Sequence, residues 1–112
     1  MISALAAFVL VAATPDSCRT VHGRMDLWNG APTVRIRVIG TRRVLGVVQP
    51  HERFDDLPPS VRRIWTGQDA DADWKTSITG DFKVCAVRPE RPGRMPRVRL
   101  IAAGRLTARA RP

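Results

Sequence analysis

The sequence predicts a small all-β domain, an antiparallel β-sandwich of Greek-key type with one short helical turn, preceded by a signal peptide. Three observations carry this expectation. Apolar and polar residues alternate with period two in several short runs, and turn residues separate those runs at regular spacing. A chain of 112 residues has room for one domain and one modest core. No heptad, internal repeat or long helical period competes with that reading.

The elements follow in order. Val21, Gly23, Met25 and Leu27 alternate with His22, Arg24, Asp26 and Trp28, which describes a half-buried strand. Asn29-Gly30 is a hairpin signal, and Pro32 marks entry to a second strand in which Val34, Ile36 and Val38 face one way and Arg35 and Arg37 the other. Gly40 to Arg43 turns the chain into a third strand, Val44 to Val48. Gln49 to Pro59 reads as loop. Pro58 to Trp65 reads as one or two helical turns, with Val61, Ile64 and Trp65 on one face. Gly67 to Asp73 reads as an acidic loop, and Lys75 to Ile78 and Phe82 to Val87 as two strands around a turn at Gly80-Asp81. After the proline-rich loop Arg88 to Pro96, Val98, Leu100 and Ala102 alternate with Arg97, Arg99 and Ile101 in a last strand that Gly104 bends. The expected domains are a signal peptide over 1–13, one β domain over 14–106 and a basic tail over 107–112.

The amino terminus has no charged side chain before Asp16. Its apolar run Ile2 to Ala13 ends on small residues, with Val11 and Ala13 suited to the positions before a cleavage site. A run of that length falls short of the ~20 residues that span a bilayer. The expected location is therefore periplasmic or secreted, with no transmembrane span in the mature chain. In such a compartment Cys18 and Cys85 are expected to form a disulfide, with two buried thiols as the alternative and metal binding by two isolated cysteines weaker still. The net charge of +9 is almost all arginine, since Lys75 and Lys83 are the only lysines.

The spacing of Val21-His22-Gly23-Arg24, Asn29-Gly30-Ala31-Pro32, Val38-Ile39-Gly40-Thr41 and Ile78-Thr79-Gly80-Asp81-Phe82-Lys83-Val84 resembles transthyretin-like and carboxypeptidase-regulatory-like β-sandwich domains. With His22-Gly23-Arg24, Arg35-Ile36, Gly40-Thr41, Arg43, Leu45-Gly46-Val47 and Gly80-Asp81-Phe82 with Val84-Cys85, it is more closely similar to a group of short exported proteobacterial proteins. The resemblance covers residues 18 to about 87 and rests on turn glycines and core positions, so it speaks to fold. The hydroxyisourate-hydrolysing relatives of transthyretin end in Tyr-Arg-Gly-Ser. This chain has no Tyr and ends Arg109-Ala110-Arg111-Pro112, so that activity is not carried over.

Chemistry-bearing constellations are sparse. Ser17, Ser60, Ser77, His22 and His51 form no recognisable nucleophile elbow or triad. Asp69, Asp71 and Asp73 open like a calcium loop, but its sixth and twelfth positions are Trp74 and Gly80 where Gly and Glu are required. No metal, cofactor or catalytic residue is expected. The feature with reach is the arginines: Arg35 and Arg37 share one strand face, and Arg97 and Arg99 another, with Trp28, Trp65 and Trp74 as stacking surface. If those strands are neighbours, the four arginines form an anion patch. The expected function is a non-catalytic binding or scaffolding module of the bacterial envelope. Its partner would be anionic lipid, acidic polysaccharide or an envelope protein, with nucleic acid the least favoured. The rivals are a structural accessory that binds a protein through its sheet edge, and an enzyme using His22, Asp26 and nearby arginines.

Overall fold

A computed structural model describes residues 17–112 of the chain. The expected signal peptide lies outside the described residues. Five strands form the structure: β1 Cys18–Leu27, β2 Val34–Val38, β3 Val44–Val47, β4 Thr76–Ala86 and β5 Arg97–Ala110. They close into one barrel in the order β1-β2-β3-β5-β4. All neighbours are antiparallel except β3 and β5, which meet in parallel at Gly46↔Arg97 and Val47↔Val98. The all-β class therefore holds. The strands belong to one sheet closed on itself, where the sequence pattern suggested two facing layers. Closure removes the free edges that a small open sheet leaves exposed.

Alternation places the core as expected. Met25, Leu27, Val34, Ile36, Leu45, Val47, Ile78, Phe82, Val84, Val98 and Leu100 fill the barrel. The long β3–β4 connection holds a 3₁₀ turn at Phe54–Asp56, helix α1 at Pro59–Arg62 and helix α2 at Ala70–Trp74. Leu57, Val61 and Trp65 from this connection are buried against the core, and Trp65 Nε1 donates to Thr76 O at 2.9 Å. Ser60 Oγ donates to Ala103 O, tying α1 to β5. Cys18 and Cys85 lie opposite each other in the β1–β4 ladder and are joined by a disulfide. Among the described residues no helix is long and apolar enough to cross a membrane.

Three stretches differ from the sequence reading. Gly80 is not a turn but the middle of the single strand β4. A Cβ there would lie 2.6 Å from Leu106 Cδ2 and 2.8 Å from Gly104 O, so β5 crosses too closely for any side chain. The expected acidic loop contains α2. Asp69 caps it by accepting from Ala72 N, Asp71 pairs with Lys75 at 3.0 Å, and buried Asp73 accepts from Gly67 N. The expected basic tail is largely strand. Thr76 to Thr79 pair with Ala110 to Thr107, and period two breaks beyond Leu100 because the pairing with β4 shifts register between Lys83 and Val84 and again between Thr79 and Asp81, which leaves Ala103 and Leu106 as the residues packed on the core.

Candidate functional site

The mouth of the barrel is shaped by a missing side chain. Gly46 on β3 leaves room on the outer face, and a Cβ there would lie 2.5 Å from Pro32 Cγ, 3.1 Å from Met95 Sδ and 3.2 Å from Arg97 Cδ. The β1–β2 loop (28–33) and the β4–β5 loop (87–96) therefore converge over β3. Between the first loop, the end of β3 and the start of the β3–β4 connection lies a groove of about 510 Å³. Leu27, Val34, Val47 and Phe54 supply apolar lining, while Arg53, Arg97, Gln49 and Glu52 supply polar groups. Arg97 also lines a second depression of about 210 Å³, which Arg88, Arg91 and Arg94 of the 87–96 loop share. The two hollows thus have Arg97 as a shared lining residue.

The segments that border both hollows are anchored. Asp56 accepts from His51 N at 2.9 Å and Arg53 N at 3.2 Å, and its Oδ1 lies 2.8 Å from His51 Nδ1. The His51 hydrogen bond is the main reason the Asp56 carboxyl is held below the usual carboxylate range, against the opposing effect of burial. Gln49 Nε2 donates to Arg53 O at 3.0 Å, which closes the same turn. On the other wall Glu90 is gripped by the Arg43 guanidinium, with Arg19 at 3.6 Å. The hydrogen bond from Arg43 leads in holding the Glu90 carboxyl low. Glu90 is thus spent on anchoring its loop.

The four arginines expected to form one patch are dispersed. Arg35 and Arg97 flank Gly46 in one cross-strand row, one strand away on either side. Arg35 is engaged locally: its Nε donates to Pro32 O at 3.0 Å, and its guanidinium lies 5.1 Å from the Trp28 ring centre. Arg37 lies directly opposite Arg24 on β1, and Arg99 opposite Cys85 on β4. Of the four, Arg97 alone lines the mouth groove. Arg53 was not distinguished by sequence, because nothing in a charged, proline-rich loop says which residue turns toward the barrel mouth. The tryptophans expected as stacking surface are also occupied. Arg111 lies 5.2 Å from the Trp28 ring and 4.7 Å from that of Trp74, while Trp65 is buried.

The residues considered for catalysis sit apart from the groove lining. His22 is 60% exposed on the barrel wall, with Nδ1 2.9 Å from Asp81 Oδ1. Asp26 is 4% exposed. It accepts from Ser77 Oγ and from Arg24 Nε at 3.1 Å, with Arg111 Nε 4.0 Å away. Among the described residues no group of three or more His, Cys, Asp or Glu side chains is placed to hold a metal ion. No family model, curated protein or solved structure matches the chain.

Proposed function

We propose that the chain is an exported, non-catalytic binding module of the bacterial envelope whose mouth groove holds an acidic polysaccharide. The observation that carries this reading is the pair of hollows that share Arg97: Arg53 and Arg97 line one and Arg88, Arg91, Arg94 and Arg97 the other, with Glu52 the one acid in either lining. Arginine forks suit carboxylate and sulfate groups. Charges spaced along successive hollows suit a chain that repeats its anion, whereas a lipid head presents its charge at one place. Pro32 and Phe54 add flat apolar surface for sugar-ring faces. Five-stranded Greek-key barrels of the oligonucleotide/oligosaccharide-binding type take their ligands across strands 2 and 3, between the β1–β2 and β4–β5 loops. This groove borders the first of those loops, the start of β2 and the end of β3, an argument by architecture that supports the place and not the ligand. The Cys18–Cys85 bridge is compatible with an oxidising compartment.

The test is retention of the protein on immobilised alginate and heparin at low salt. Wild type should be retained and should elute as ionic strength rises, and Arg53→Gln/Arg97→Gln should elute markedly earlier while unfolding at the same temperature. Equal retention of the double variant, or none for wild type, removes the reading. Binding only to vesicles of anionic phospholipid would replace the polysaccharide with lipid.

A further inference from the structure

A second arginine cluster lies elsewhere on the barrel, and the mouth groove does not account for it. Cross-strand pairing sets Arg37, Arg24, Thr79 and Thr107 in one row over β2, β1, β4 and β5. Directly opposite residues in an antiparallel pair hold their Cβ atoms about 5 Å apart, and like charges placed so repel. Arg109 enters from the next row, opposite Ser77. Around these side chains lies a depression of about 420 Å³ whose lining contains three arginines and no Asp or Glu side chain. Asp26, the carboxylate that Arg24 touches, is already held by Ser77, Arg24 and Arg111. Among the described residues no acid pairs with Arg37 or Arg109.

We propose that Arg24, Arg37 and Arg109 form a second anion site, for the compact tetrahedral head of a phosphate or sulfate monoester. Arg24 is fixed by its Nε bond to Asp26, which leaves its terminal nitrogens for the ligand. Arg37 and Arg109 supply the unneutralised charge, and the Thr79 and Thr107 hydroxyls line the same hollow as neutral donors. A bound anion relieves the repulsion between Arg24 and Arg37 and accepts charge-assisted hydrogen bonds from both. The hollow falls within the size range of small-molecule sites, large enough for the head and a small organic body.

The test titrates the full chain with inorganic phosphate and, separately, inorganic sulfate, following the arginine Nε–Hε resonances by NMR. Saturable shifts confined to Arg24, Arg37 and Arg109 are expected. Arg37→Gln/Arg109→Gln should bind phosphate at least about tenfold more weakly, the scale of losing charged hydrogen bonds, with a melting temperature no lower than that of wild type, because neither arginine has an acidic partner to lose and removing Arg37 ends its repulsion with Arg24. Arg53→Gln/Arg97→Gln should bind phosphate as wild type does, so this site stands or falls separately from the mouth groove. Glycerol phosphate and vesicles containing phosphatidic acid then separate a soluble monoester from a lipid head, and binding of either supports the site. Non-saturating shifts spread over all arginines, or an unaffected Arg37→Gln/Arg109→Gln variant, overturn it.

Discussion

Asp26→Asn should lower stability and raise anion affinity together. Asp26 is 4% exposed at the centre of a network in which one carboxylate serves Ser77, Arg24 and Arg111. A hydrogen bond to a charged group contributes about 1.5–3 kcal/mol. Asparagine keeps one acceptor oxygen, and the released arginines reach water in part, their side chains being 35% and 19% exposed. The expected loss is therefore near the lower end, about 2 kcal/mol. For a domain of this size that is a fall of about 8–16 °C in melting temperature, at about 4–8 °C per kcal/mol. Thermal and urea unfolding followed by circular dichroism measure it. The same substitution frees Arg24 beside Arg37, so phosphate should bind the variant more tightly than wild type. A melting shift below about 2 °C would show that the network is effectively solvated. Weaker phosphate binding by a folded variant would show that Asp26 positions Arg24 more than it neutralises it.

Two further outcomes follow from the anchors. Cys18→Ser/Cys85→Ser should cost about 4 kcal/mol, because the bridge closes a 67-residue separation in the unfolded chain; reductant should move the wild-type urea midpoint to that of the variant, and thiol labelling of unfolded, unreduced protein should find none. Asp56 and Glu90 titrate below their ordinary range in the folded state. The stability they add is present at neutral pH and is lost as pH falls below about 4 through their folded values. Melting temperature should therefore drop on acidification, and His51→Ala, which removes the main cause for Asp56, should shallow that drop; an unchanged acid limb would mean that the His51–Asp56 contact does not persist in solution.

The strands were legible in the sequence wherever one face meets the core. Met25, Leu27, Val34, Ile36 and Val98 announce their burial by alternation, because period two is a local property of extended chain. The Cys18–Cys85 pairing was legible from the even count, and the Pro58–Trp65 helical turn from its proline and apolar spacing. Three features were not local. Gly80 reads as a turn residue until β5 is seen crossing it, since close approach and chain reversal ask for the same amino acid. The segment after Leu100 has no regular alternation, because register shifts against β4 are what set Ala103 and Leu106 on the core, so only its pairing reveals it as a strand. Closure depends on the parallel contact of β3 with β5, strands that β4 and two connections separate along the chain. The arginine sites show the same division. Sequence established that arginines dominate the charge and alternate with core residues. The barrel decided their grouping, putting Gly46 between Arg35 and Arg97, Arg24 against Arg37, and Arg53 and Arg97 around one groove, because neighbours across strands are fixed by register and not by position along the chain.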